Sequence, residues 1–223
     1  MAITVAGSDS GGGSAATPTI PGTPAENDLI VVVTATIGAN TYDVTTAGYT
    51  TAGTIDANNQ KTRIFAKRMG ASPDASVAIG TGSGAWAIYN LRGVDTTTFE
   101  DAVAVMSDNT VGGLGGGYTS EAITTVTANA WVLTVINAEA TTVDPSGAPT
   151  GYNNFKLGNF SSPNIVCVAA GWKEIAVAGA ENPGIFPDTA TPDGGAVAGT
   201  WAVRPAVAAG GGGAINMLLL GVG

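Results

Sequence analysis

The chain has 223 residues, of which 44% are hydrophobic and 11% are charged. A hydrophobic fraction of this size supports a buried core and excludes an intrinsically disordered chain. Histidine is absent and Cys167 is the single cysteine. This composition excludes disulfide frameworks, histidine-based metal sites and every catalytic triad that uses an imidazole.

The charge balance is acidic, with eight Lys and Arg against 17 Asp and Glu and a net charge of −9. Because this charge repels phosphate backbones, we expect no nucleic-acid partner. The few basic residues cluster, and strand alternation places Lys61, Arg63 and Lys67 on one face, which we interpret as solvated. The longest apolar runs, Leu29 to Val33 and Met217 to Leu220, are far below the roughly 20 residues that span a bilayer, so we expect no membrane segment.

The N-terminal stretch, residues 1–26, is predicted to be an extended arm or linker. It contains three consecutive glycines and three prolines, which disfavour both a helix and a central strand. It also lacks the basic and apolar regions of a secretory signal peptide. The folded body is therefore expected to begin near Asn27, and the arm to be dispensable for folding.

From Asn27 onward, the pattern predicts an all-β protein. Short runs of β-branched and aromatic residues alternate with Gly, Pro, Asn and Asp, as in sandwiches and barrels. The continuous apolar run Leu29 to Ile37 suits a buried central strand, whereas Arg63 to Lys67 and Trp131 to Val135 are shorter strand patterns. We expect little helix.

The chain also shows a weak internal repeat, with halves at about 27–111 and 118–209. Four landmarks recur in the same order: Asn27–Val33 with Ala128–Thr134, Gly48-Tyr49 with Gly151-Tyr152, Thr62–Ala66 with Asn164–Val168, and Gly84–Ile88 with Gly199–Val203. Such a repeat fits two tandem sandwiches, or one larger sandwich in which each half supplies four strands. Because no Pro- or Ser-rich linker separates the halves, we favour one antiparallel, jelly-roll-like β-sandwich over residues 27–209.

The C-terminal stretch, residues 210–223, begins with four glycines and continues as a strongly apolar tail. An apolar tail is unfavourable in water, so it is expected to be the last strand of the core or to dock on a neighbouring subunit. The candidate assembly contacts are Ile215, Met217, Leu218, Leu219 and Leu220.

Residues that could support catalysis are few. Glu100 and Asp101 are adjacent, so on a strand they point to opposite faces and cannot share a substrate as glycosidase carboxylates do. The oxygen-rich stretch from Asp95 to Asp101 lacks the spacing of a calcium loop and is interpreted as a solvated turn. Cys167 lies in an apolar run that predicts a buried, inert thiol. We expect no enzymatic activity, no cofactor and no metal.

Aromatic residues are the remaining candidates for a ligand site. Tyr49, Tyr152 and Trp172 could stack on sugar rings, because flat aromatic faces offer a large contact area at a small entropic cost. The other tryptophans, Trp86, Trp131 and Trp201, lie within apolar strand patterns, so they are predicted to pack in the core.

The order of these segments resembles β-sandwich modules of bacteriophage virion structural proteins, of the capsid-decorating or tail-associated type. The segments that carry the resemblance are Asn27–Val33, Thr46–Tyr49, Arg63–Arg68 and Ile88–Asp95, followed by Ala130–Leu133 and Ala202–Ala206. The most specific of them is Leu91-Arg92-Gly93-Val94-Asp95. Tyr49 departs from the pattern, which prefers tryptophan there. Similar modules also occur in bacterial surface proteins.

This resemblance implies a non-enzymatic virion protein that decorates the capsid or forms part of the tail. Its partners would be other virion proteins and further copies of itself, as a homo-oligomer in a particle assembled in the host cytoplasm. It supplies no catalytic residues. The alternative is a carbohydrate-binding surface module, similar to a lectin, with a surface glycan as the ligand.

Overall fold

The structure is a computed structural model that describes residues 1–57, 59–108, 118–139, 145–160, 166–187 and 195–207. Within these ranges the secondary structure is β-strand without helix, which confirms the all-β prediction. None of the described residues belongs to a helix long and apolar enough to cross a membrane. The strands are β1 (Thr4–Ser14), β2 (Leu29–Ile37), β3 (Thr50–Ala57), β4 (Gln60–Arg68), β5 (Ser83–Arg92), β6 (Glu100–Asp108), β7 (Tyr118–Thr119), β8 (Ile123–Thr124), β9 (Ala130–Glu139), β10 (Asn153–Phe160), β11 (Val166–Ile175), β12 (Ala180–Glu181), β13 (Ile185–Phe186) and β14 (Ala196–Val203).

Two five-stranded antiparallel sheets pack face to face. The first has the order β1-β5-β2-β4-β3 and the second the order β10-β11-β9-β14-β6. Residues from both sheets, including Val31, Val33, Leu133 and Val135, form one apolar layer between them. The connectivity differs from the expected jelly roll: residues 4–92 build one whole sheet and residues 100–203 the other, whereas a jelly roll distributes consecutive strands over both sheets.

The two sheets share one topology. When the long strands of the first half, β1 to β5, are numbered in chain order, their order in the sheet is 1-5-2-4-3. The long strands of the second half are β6, β9, β10, β11 and β14, and they have the same order when the sheet is read from β6. The sheets face each other in opposite order, since β1 lies on β10 and β3 lies on β6. The two halves are thus related by an approximate two-fold axis that passes between β2 and β9.

Local geometry also repeats between the halves. Asn27 and Asn129 precede β2 and β9 with positive φ angles of 68° and 60°. Each donates its backbone N–H to a carbonyl at the end of the neighbouring strand, Met69 O at 2.9 Å and Ile175 O at 2.8 Å. Left-handed asparagines of this kind turn the chain into the central strand of each sheet.

The repeat segments that contain Trp86 and Trp201 lie on the equivalent strands β5 and β14, but the two tryptophans do not occupy equivalent positions. Trp86 points to the outer face of the first sheet, whereas Trp201 points into the layer between the sheets. The counterpart of Trp201 is Tyr89, because Tyr89 pairs with Val31 of β2 as Trp201 pairs with Leu133 of β9. Side chains alternate along a strand, so an odd offset reverses the face.

The outer faces of both sheets are also covered, by loops and by the short strands. Ile20, Tyr42 and Met69 pack on the first sheet, while Tyr118 and Phe186 pack on the second. All nine residues of β2 are consequently buried, which confirms the buried central strand predicted for Leu29 to Ile37. The predicted core tryptophans are also buried: Trp86, Trp131 and Trp201.

The predicted N-terminal arm is wrong for most of its length. Residues 4–14 form β1, an edge strand paired with β5 from Thr4 opposite Arg92 to Ser14 opposite Ser83. Ile3 and Ile20 are buried in the core. Residues 1–26 therefore belong to the sandwich, and the folded body begins before Asn27.

The glycines of β1 have a packing role that the sequence alone did not reveal. β10 crosses directly over β1, and a Cβ atom added to Gly12 would collide with the Asn159 carbonyl. A Cβ atom on Gly158 of β10 would lie 2.5 Å from the Gly11 carbonyl oxygen. Glycine at these positions lets two backbones approach where any side chain would separate them.

We predict that Gly12→Ala lowers the free energy of unfolding by about 2 kcal/mol or more, because the added methyl group forces β1 away from β10. Gly13→Ala is the matched control, since a Cβ atom there meets nothing within 4 Å. It should change stability by less than about 1 kcal/mol, in the stabilising direction, because Gly is less favourable than Ala within a strand. Urea unfolding followed by tryptophan fluorescence measures both, and equal effects would contradict the proposed crossing.

Candidate functional site

Tyr49 lies directly before β3, after Gly48 with a φ of 86°. The Lys67 ammonium lies over its ring, 5.6 Å from the centroid. The same Nζ donates to Asp74 Oδ2 at 2.5 Å and to the Ala47 carbonyl at 2.9 Å. The ring also packs against the outer apolar cluster of the first sheet, so the aromatic surface is already in use within the fold.

Tyr152 repeats this arrangement in the other half. It follows Gly151, whose φ is 82°, and Lys173 Nζ lies 5.8 Å from its ring centroid. Lys173 Nζ and the Tyr152 hydroxyl both donate to Glu181 Oε1, at 2.9 and 3.2 Å. We call each set of tyrosine, lysine and carboxylate a clasp. In the first half, the clasp connects the segment after β4 to the turn before β3. In the second half, it connects the segment after β11 to the turn before β10.

Trp172 is half-buried and stacks on Trp131, with ring centroids 6.1 Å apart and an interplanar angle of 29°. It packs against the layer between the sheets, whereas Tyr152 packs on the outer face of the second sheet and Tyr49 on that of the first. The structure therefore does not bring the three predicted stacking residues together on one surface.

The predicted assembly residues of the C-terminal tail lie outside the described residues. They are Ile215, Met217, Leu218, Leu219 and Leu220. Their role in assembly stays a prediction.

Glu100 and Asp101 point to opposite sides of β6, as their adjacency predicted. Glu100 Oε2 accepts from the Trp201 indole nitrogen at 3.2 Å. The buried Asp101 carboxylate accepts from the backbone N–H groups of Val126 at 2.7 Å and Thr127 at 3.1 Å. Both carboxylates thus have structural partners, and the two cannot act on one substrate.

No cluster of three or more potential metal ligands is found among the described residues. Asp95, the first residue of the oxygen-rich stretch, accepts backbone N–H groups from Thr97 at 2.9 Å and Thr98 at 2.8 Å, which makes this segment a hydrogen-bonded turn. Cys167 is fully buried, as predicted from its apolar run.

Lys61, Arg63 and Lys67 of β4 are paired with acidic groups on the outer face of the first sheet, whereas Arg68 donates to the backbone carbonyls of Asn27 and Asp95. Arg63 bonds to Asp43, and Lys61 lies 3.4 Å from Asp56. The sequence indicated the shared face but not these partners, which come from other segments. Their charges are therefore compensated within the fold.

β6 is an edge strand with an uncharged centre. The side chains of Val103 and Val105 are 70% and 38% exposed, and residues 102–106 carry no charge. Edge strands are usually protected by charged residues, prolines or a covering loop, because their free backbone groups can pair with another chain. The alternation of valine with alanine over residues 102–105 is the sequence signal that would have revealed this strand.

Comparison of the chain with protein-family models, with curated proteins and with solved structures found no match. The resemblance to virion modules accordingly rests on the sequence segments alone.

We predict that Glu181→Gln lowers the free energy of unfolding by about 1 kcal/mol at low salt, since it removes the charge that Lys173 and Tyr152 share. Asp56→Asn is the control, because the Asp56 side chain is 60% exposed in its ion pair with Lys61. It should cost less than about 0.5 kcal/mol. If chemical denaturation gives the two variants equal losses, the clasp has no special role.

Stability should also fall in alkaline solution. Burial raises the pKa of Tyr42 from the ordinary 10.0 to about 12, and burial together with the nearby carboxylates raises the pKa of Tyr49 and Tyr152 further. The folded state therefore retains phenol protons that the unfolded state releases, so the free energy of unfolding decreases as pH rises above about 10. Phenolate absorbance, recorded with unfolding curves at increasing pH, measures this. Tyrosines that ionise near their ordinary pKa without loss of stability would contradict it.

Proposed function

We propose that the protein is a non-enzymatic structural component of a bacteriophage particle, which decorates the capsid or forms part of the tail through protein–protein contacts. The observation that carries the proposal is the uncharged, partly apolar edge of β6. The resemblance of the strand segments to virion modules supports the same role. We further propose that the protein assembles with copies of itself and with other virion proteins.

The β6 edge suits association by strand pairing. β6 pairs with β14 on one side, and no other described strand pairs with its second side. Backbone N–H and C=O groups along a free edge provide affinity, and exposed side chains beside them provide contact area. Val103 and Val105 supply that area on β6, without a charge that a partner would have to desolvate.

The use of charged groups supports a non-enzymatic role. Asp101 holds a loop, Glu181 closes a clasp, and Asp28 accepts from Arg92 at 3.3 Å. Each carboxylate thus joins two segments of the sandwich. Rigid connections of this kind suit a particle component that acts through its surface.

The alternative, a carbohydrate-binding surface module, would use Tyr49, Tyr152 and Trp172 as stacking groups. Because these rings pack within the fold, the arrangement offers no observation in favour of sugar stacking at them. Loss of glycan binding in a Trp172→Ala variant that remains folded would favour this alternative.

We predict that Val103→Lys abolishes oligomer formation and incorporation into particles, because it places a solvated charge at the centre of the β6 edge. Val177→Lys is the matched control, since Val177 is 77% exposed beyond the end of β11. Light scattering at two protein concentrations and analysis of purified particles measure the effect. Unchanged assembly of the Val103 variant, or equal loss in both variants, would overturn the role of this edge.

A further inference from the structure

A cleft of about 320 Å³ lies between the start of β3 and the segment that connects the two sheets. Its volume is at the lower end of the roughly 300–1,000 Å³ typical of small-molecule sites. Its lining includes Thr50, Thr51, Thr97, Thr98, Phe99 and Glu100.

The cleft lies at the passage of the chain from one sheet to the other. Residues 93–99 connect β5, the last strand of the first sheet, to β6, the first strand of the second sheet. The C-terminal part of this connecting segment, residues 97–99, forms one side of the cleft.

The connecting segment is held in place by hydrogen bonds on both sides. Within it, the Asp95 carboxylate accepts from the backbone of Thr97 and Thr98. At its ends, Asp95 N–H donates to the Arg204 carbonyl at 3.0 Å, and Arg204 N–H donates to the Phe99 carbonyl at 2.7 Å. A wall built in this way loses little conformational entropy when a ligand binds.

The lining combines hydroxyl groups, one carboxylate and one aromatic ring. The Thr50 hydroxyl donates to the Ala66 carbonyl at 3.3 Å, so it can only accept from a ligand. The hydroxyls of Thr97 and Thr98 can each donate and accept a hydrogen bond. Glu100 Oε2 accepts from Trp201, and Oε1 can accept from a ligand. Phe99 meets Trp201 edge to face, with centroids 6.1 Å apart, and supplies the apolar part of the wall.

We propose that this cleft binds a neutral saccharide unit, a single pyranose ring with adjacent hydroxyl groups. A carboxylate can accept hydrogen bonds from two neighbouring hydroxyls, and the hydroxyls of Thr97 and Thr98 can pair with the others. The Glu100 charge disfavours an anionic ligand. The site differs from the stacking residues Tyr49, Tyr152 and Trp172, and it is independent of the structural role proposed for β6.

The test is a titration of the isotope-labelled full chain with glucose, galactose, mannose and N-acetylglucosamine, followed by amide chemical shifts. We expect saturable shifts at Thr97, Thr98 and Glu100 with at least one sugar, and a dissociation constant in the millimolar range. Glu100→Gln should weaken binding about tenfold, because it replaces a charged acceptor with a neutral one. The amide oxygen can still accept from Trp201. Glu174→Gln removes an exposed charge on β11 and should leave binding unchanged.

The absence of saturable shifts with all four sugars, in a folded protein, would overturn the proposal. Shifts at the same amides with methylammonium but with none of the sugars would overturn it in favour of a cation site. Thr98→Val provides a second variant that keeps the side-chain shape and removes one hydroxyl. A sugar affinity unchanged in both Glu100→Gln and Thr98→Val would place binding elsewhere and reject this cleft.

Discussion

The structure depends on the burial of its two central strands, β2 and β9, on both faces. Their inner faces form the apolar layer between the sheets, and loops cover their outer faces. Such strands accept few charged side chains, since an unpaired charge is costly to bury. β2 and β9 accordingly carry one charged residue, Glu139 at the end of β9. Lys61, Arg63 and Lys67 of β4 accordingly lie on the outer face of its sheet, beside acidic partners.

The approximate two-fold symmetry explains why the two clasps, which are distant from each other in the sequence, make the same contacts. Each half needs a connection between the segment after its fourth strand and the turn before its third. The Lys67 and Lys173 ammonium groups make that connection, each over a tyrosine ring and each paired with a carboxylate. A cation over an aromatic face combines attraction to the ring with an ion pair at one site. The clasps thus hold the outer layers on their sheets.

The features that distinguish the halves are the ones available for function. β1 is rich in glycine and lies against β10, while its counterpart β6 carries the exposed Val103 and Val105. The segment that connects the sheets exists once and forms the cleft beside Glu100. The shared topology provides the rigid body, and departures from symmetry provide the exposed β6 edge and the cleft, the two features on which our proposals depend.

The sequence by itself determined the all-β class, the buried strand at residues 29–37, the core tryptophans and the opposite directions of Glu100 and Asp101. These follow from alternation and local composition, which act between residues close in the chain. Tertiary structure decided the place of β1, because Gly12 is needed only where β10 crosses it. It also decided the clasps and the cleft. Their members are brought together by strand pairing and sheet packing, and no local pattern records which distant segments will meet.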